Sequence, residues 1–189
     1  MADLARQHAE IDAFNRRYRK RFRILKGIEA NIRADGHLDM TAAEIASLDI
    51  VVASPHSALR TSADQTKRMI TAVSMRGVHI LGHPRGRMYG SRPGVTANWQ
   101  RVFEVAARTG VAIEIDGDPS RQDVDFELAA DAARAGCLIA VDSDAHAVDQ
   151  LQYAEIGLAH ARLAGVPADR VVNTWPLERL LEWARRRRP

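Results

Sequence analysis

Leu48-Asp49-Ile50-Val51-Val52-Ala53-Ser54-Pro55-His56-Ser57 is the stretch that decides the fold. Its first six residues are short, apolar and β-branched, and read as a strand over 48–53. A histidine, His56, follows directly after that strand. The same pattern recurs in both directions. Residues 23–32 read as a strand with Glu29 late in it, and residues 78–82 as a strand running into Gly82-His83-Pro84-Arg85-Gly86-Arg87. Residues 111–116 close on Glu114 and Asp116, residues 137–142 lead into Asp142-Ser143-Asp144-Ala145-His146, and residues 170–173 close on Asn173. Between these runs lie helical patterns over 2–20, 63–76, 96–109, 122–135, 148–163 and 177–187. Gly77, Gly110, Gly136 and Gly165 each stand just after a helix, where a left-handed residue ends the last turn. Strands alternating with helices predict βαβ units, a parallel sheet and an α/β fold.

The 189 residues suit one domain over 1–189, with no linker and no repeat. A chain of this length buries about 70% of its unfolded surface and needs no disulfide to have a core. One cysteine, Cys137, excludes a disulfide framework and a Cys-rich zinc module. With 46% hydrophobic residues the chain is not disordered, yet no apolar run reaches the roughly 20 residues that span a bilayer. The expectation is a soluble, cytoplasmic protein. The net charge of +3 is small, and much of the basic character sits in Arg185-Arg186-Arg187-Arg188. That run reads as a solvated helix end near the negative pole of the dipole, with a DNA-binding tail as the alternative.

In a parallel α/β architecture the C-terminal ends of the strands share one rim, where sites form. Glu29, His56 and His83 are spaced 27 residues apart, about one βα unit, so each step moves one strand around. Glu29, His56, His83, Asp144 and His146 therefore converge, and carboxylates with several imidazoles are a ligand set for zinc, manganese or iron. A bridged pair of such ions activates water and clamps a phosphoryl oxygen. Arg87 and Arg121 are candidate phosphate contacts, against ion pairing with Asp116, Asp118 or Asp123 as the plain reading. Asp142 either orients a ligand or simply ends a strand.

Other chemistries lack support. There is no Gly-x-x-x-x-Gly-Lys-Ser/Thr loop and no Gly-x-Ser-x-Gly elbow. Cys137 opens an apolar strand and reads as a core residue. His79 is expected near the base of the sheet and not as a ligand, and His8, His37 and His160 as surface residues. Trp99, Trp175 and Trp183 fall on helices or their starts, which favours packing over base stacking.

At these residues the chain resembles the PHP (polymerase and histidinol phosphatase) family, in particular the form at the C-terminus of bacterial family X DNA polymerases. The likeness is carried by Ile24-Leu25-Lys26-Gly27-Ile28-Glu29, Asp35-Gly36-His37-Leu38-Asp39, the 48–57 stretch, Gly82-His83-Pro84-Arg85-Gly86-Arg87, Glu114-Ile115-Asp116, Arg121-Gln122-Asp123, Ser143-Asp144-Ala145-His146 and Val172-Asn173-Thr174. The resemblance implies a distorted seven-stranded (β/α) barrel with parallel strands and a three-metal centre at its C-terminal rim. It implies that Glu29 bridges ions, that His56 and His83 complete one site with it, and that Asp144 and His146 belong to a second and a third. The family's opening His-x-His motif, a following Asp and a further His have no counterpart here. The chain is therefore expected to be N-terminally incomplete, with N-terminal strands missing, one fully liganded metal site, and an open barrel edge suited to self-association. The implied activity is hydrolysis of phosphoesters: 3′–5′ exonuclease or DNA-end processing in DNA repair, or cleavage of small phosphate monoesters. The alternative is a non-catalytic remnant that binds one metal or a partner.

Overall fold

Five strands pair in parallel in the computed structural model, which describes residues 2–18 and 21–189. They are β1 (Gly27–Asn31), β2 (Ile50–Ser54), β3 (Ile80–Leu81), β4 (Ala112–Asp116) and β5 (Leu138–Asp142), in the spatial order β1-β2-β3-β4-β5. A spatial order identical to the chain order means that every crossover advances one strand in the same direction. That is the progression of a barrel wall, whereas a doubly wound sheet reverses partway. The fold is α/β, with one open parallel sheet forming part of a (β/α) barrel.

Among the described residues seven helices accompany the strands: α1 (Ala2–Tyr18), α2 (Ala42–Ala46), α3 (Thr66–Ser74), α4 (Trp99–Thr109), α5 (Phe126–Arg134), α6 (Ala154–Leu163) and α7 (Leu177–Arg186). Positions 19 and 20 of the expected first helix, and Met1, lie outside the described residues. Two helices start later than their periodicity suggests because a side chain caps them. Asn98 accepts the Arg101 N–H at the head of α4, and Asp125 accepts the Leu128 N–H at the head of α5. Helix α2 escaped the periodicity reading, although Thr41 and Glu44 form a capping box that is visible in sequence.

The expected strand over 170–173 is not formed. Ala168–Arg170 and Val172–Thr174 are short 3-10 turns, and only Val171 bridges β5, at Ile139. The apolar run there is too short to form a ladder. The Asn173 side chain takes over the edge instead, accepting the Val141 N–H at 2.8 Å and donating to the Val141 carbonyl at 2.9 Å.

Alternation along the strands separates two environments. Val51, Ala53, Leu81, Ile113, Ile115 and Ile139 face the helices and form the main core with Met69, Val102, Phe103 and Ala129. Each fully buried large side chain there contributes roughly 1.5–3 kcal/mol. Ala112, Ala140 and Ile80 point to the opposite face, where Trp175, Leu180 and Trp183 cover them. On that same parity, nearer the C-terminal strand ends, stand Glu114, Asp116 and Asp142. The inner face is thus apolar at its base and acidic at its rim.

Helix α7 seals the base. Trp183 Nε1 donates to the Gly110 carbonyl at 2.9 Å. Arg187 donates to the carbonyls of Met75, Val78 and Thr109, and burial pushes its pKa down to about 10. The arginine run is therefore more than a solvated helix end: Arg187 grips the chain at the entries to β3 and β4, at the opposite end of the sheet from His83. His79 lies in the same seal. The Val51 N–H donates to its Nδ1 at 3.0 Å, so the ring proton sits on Nε2, 3.0 Å from the Ala184 carbonyl. Burial lowers its pKa to about 4. Between about pH 6.5 and 4 the unfolded chain takes up a proton that the folded chain refuses, so this stabilisation is complete above pH 6.5 and is lost as the pH falls. Urea unfolding at pH 7.5 and 4.5 should show the wild-type chain losing about 2 kcal/mol more than His79→Gln. Equal losses would remove His79 from the account.

Candidate metal centre

Three consecutive strands deliver three donors to one point on the rim. Glu29 projects from β1, His56 from the loop after β2 and His83 from the loop after β3. Glu29 Oε1 is 3.2 Å from His56 Nε2 and 2.8 Å from His83 Nε2, and the two imidazole centroids are 5.3 Å apart. Among the described residues this is the one set of three such groups whose ligand atoms lie within 4.8 Å of one another. Ligands placed about 2.0–2.1 Å from a tetrahedral ion are about 3.3 Å apart, so the spacing fits one divalent cation.

The surrounding groups favour that use. His56 Nδ1 faces Asn31 Oδ1, and Asn31 Nδ2 donates to Asp39 Oδ2. A ring that donates through Nδ1 keeps the Nε2 lone pair free for a cation. The Glu114 carboxylate accepts the His83 backbone N–H. Gly82 lets the neighbouring β2 side chains close in beside it, since a Cβ there would overlap the Ser54 hydroxyl and stand 2.5 Å from Val52 Cγ1. The His83 hydrogen bond chiefly holds the Glu29 pKa at about 2. Burial pulls the His83 pKa down, but the Glu29 hydrogen bond and charge outweigh it and hold the pKa above its usual value. Glu29 is thus an anion across the physiological range.

Beyond the trio lies a buried acidic group. Burial and the neighbouring Asp142 push Glu114 well above the carboxylate range; burial raises Asp142 to about 6 and Asp116 to about 7. Arg121 is the cation among them. Its Nη2 is 2.9 Å from Asp144 Oδ2, and its Nε is 3.4 Å from Asp116 Oδ2 and 3.7 Å from Asp118. Asp123 lies apart from Arg121, with its two oxygens accepting the backbone N–H groups of Arg85 and Arg87. The Arg87 guanidinium contacts the Arg121 and Gln122 carbonyls and pairs with Asp125 at 3.5 Å. Asp144 is thus engaged by Arg121, and neither it nor His146 is among the ligand atoms that Glu29, His56 and His83 bring together. His146 stands on an exposed loop with Nδ1 2.7 Å from the Asp144 carbonyl.

Strain and unmet polarity concentrate at this rim. Among the described residues the non-glycine ones with left-handed backbone are Ala58, Gln122 and Asp144, each on a loop that follows a strand end. Such residues cost about 1 kcal/mol or more and persist where the surroundings impose them, commonly at functional sites. Buried atoms without a hydrogen-bond partner among the described residues include His83 Nδ1, Ser54 Oγ and Asp142 Oδ1, while Asp116 Oδ2 and Asp144 Oδ2 face the Arg121 guanidinium as ion pairs. Cys137, by contrast, is buried with its thiol pushed up to about 12, and it donates to the Phe103 carbonyl. Sequence reading missed Asn31 and Asp39. Asn31 was within reach of it, because strand alternation puts it on the same face as Glu29.

No family model matches the chain. It is 35% identical over 176 residues to the DNA polymerase/3′-5′ exonuclease PolX of Bacillus subtilis, an alignment that covers 93% of this chain and 31% of that protein. It is 32% identical over 170 residues to the probable phosphatase YcdX of Escherichia coli K12, covering 85% of this chain and 66% of that protein. The chain thus spans about a third of the first relative's length. The parallel sheet built one strand at a time, the Glu–His–His rim and these two kinships agree, and the chain belongs to the PHP family.

Proposed function

We propose that the chain is a metal-dependent phosphoesterase that processes DNA 3′ ends. The observation that supports this most directly is the convergence of Glu29 Oε1 on the Nε2 atoms of His56 and His83. In this reading Glu29, His56 and His83 hold one divalent ion, either zinc, manganese or iron, and Asp144 and His146 are donors toward further ions. A bound ion supplies Lewis acidity and an activated water. Asn31 orients His56, Glu114 fixes the backbone at His83, and Arg121 and Arg87 orient the phosphate by exchanging present partners for its oxygens. The whole of 1–189 acts as one domain, in the cytoplasm. Among the described residues no helix is long and apolar enough to cross a membrane. Self-association would use the outer edge of β1.

The second reading, a non-catalytic metal-binding remnant, draws on the guanidinium already seated against Asp144. Elemental analysis and turnover separate the two. The enzyme reading expects hydrolysis of a 3′-labelled oligonucleotide or of p-nitrophenyl phosphate with added Mn²⁺, abolished by chelation. About one ion per chain with no turnover supports the remnant.

A further inference from the structure

We propose that the hairpin after His83, together with Arg60, is a binding lip for single-stranded nucleic acid, with Tyr89 as a stacking platform for a base and Arg60 and Arg92 as contacts for the phosphate backbone. The proposal rests on the phosphoesterase reading only for its orientation toward the rim. The lip itself is a separate binding surface.

Three rim loops meet at this hairpin. Met88 and Arg92 exchange backbone hydrogen bonds of 3.1 and 3.0 Å across a tight turn, with Gly90 at its tip in left-handed backbone (φ 65°). The buried carboxylate of Asp123 holds the hairpin's base by accepting the Arg85 and Arg87 N–H groups, both at 2.8 Å. The Tyr89 N–H donates to the Ser120 carbonyl at 2.9 Å, which straps the hairpin to the loop that carries Arg121. On the other side the Gly94 N–H donates to the Leu59 carbonyl at 3.2 Å, and Arg60 Nη1 reaches the Ser91 carbonyl at 2.5 Å. The lip therefore joins the loops that follow β2, β3 and β4, the first two of which carry His56 and His83.

Its side chains suit a nucleic acid strand. Tyr89 is 54% exposed although its backbone is fixed, and the Arg87 guanidinium lies 4.8 Å from its ring centroid. A ring more than half exposed on a rigid turn, with a guanidinium against it, is a ready stacking surface, and bases of any sequence stack on such rings. Arg60 and Arg92 meet no carboxylate within 4.0 Å among the described residues, unlike Arg85, Arg87 and Arg121. Arg92 Nε is committed to the Gly86 carbonyl at 2.6 Å, which fixes its direction. Two guanidinium charges without carboxylate partners beside an exposed ring match alternating phosphates and bases. A small phosphate monoester would use neither.

The test is fluorescence anisotropy of the full chain with a 5′-labelled single-stranded oligothymidylate, in chelator so that nothing is cleaved. Tyr89→Ala is expected to weaken binding about 5-fold or more, and Tyr89→Trp to retain it. Arg60→Gln combined with Arg92→Gln should reduce the slope of log affinity against log salt by about 1.4, the value for two phosphate contacts to a single strand. Arg60→Gln alone, on an exposed side chain, should give half of that change and guards against a folding defect from Arg92. No measurable binding by the wild-type chain, or binding indifferent to Tyr89 and to both arginines, overturns the lip. Hydrolysis of p-nitrophenyl phosphate by the same wild-type preparation is read separately. Turnover without strand binding rejects the lip and keeps the enzyme, whereas Tyr89-dependent binding without turnover does the reverse.

Discussion

Replacing His83 with alanine is expected to lower divalent-metal affinity by more than about 100-fold, beyond the 10- to 100-fold that follows from losing a group which merely orients a ligand. Asn31→Ala, which removes the partner of His56 Nδ1, should fall within that lower range. The ordering of the two variants tests which side chain is the donor and which is the support. Competition with a chromophoric chelator measures both. His83→Ala also acts on Glu29, whose pKa of about 2 depends first on the His83 hydrogen bond. In the metal-free variant the Glu29 pKa should climb back toward 4.5, and a carbon-detected NMR titration of its carboxyl would show it. His83→Gln keeps most of the side-chain volume and separates ligand loss from loss of packing. If metal binding is unchanged in both His83 variants, the trio is not a metal centre.

Gly117→Ala is expected to be among the most damaging single-methyl additions in the fold. A Cβ at Gly117 would overlap the Tyr153 carbonyl oxygen, and would stand 2.6 Å from that carbonyl's carbon and 2.8 Å from the Asp142 carbonyl oxygen. All three are backbone atoms, so no side chain can swing aside. Relief requires the end of β4 to separate from β5 or from the turn over Val148–Tyr153. Overpacking costs 1–3 kcal/mol where side chains can adjust, so here the loss should reach about 3 kcal/mol or more. Urea unfolding of Gly117→Ala beside Gly165→Ala gives the comparison. Nothing lies within 4 Å of a Cβ at Gly165, and only its left-handed backbone opposes the change. A smaller loss at 117 than at 165 would contradict the close approach. Because Gly117 also packs beside the segment that carries Asp144 and His146, the same variant should loosen that segment first.

The strands were legible where an apolar run ended in chemistry, as at Val51-Val52-Ala53 before His56 and at 112–116. There the periodicity and the burial arise from the same packing. The reading failed at 170–173, where two buried valines resemble a strand but the Asn173 side chain does the pairing. Side-chain mimicry of a ladder leaves no mark in periodicity. The trio was legible because strand ends share a rim and the spacing of Glu29, His56 and His83 follows the repeat. Arg121 was ambiguous in sequence for a physical reason. A guanidinium suits a phosphate and a carboxylate equally, and only coordinates show that Asp116, Asp118 and Asp144 surround it. Asp123 shows the opposite: nothing in its local sequence announces that it pins a loop 36 residues earlier.

Arg187 carries a lesson about timing. The carbonyls it grips belong to Met75, Val78 and Thr109, all made long before it during synthesis. A nascent polypeptide can stack its early strands as they emerge, yet the floor beneath them stays unlatched until Arg187 clears the ribosome.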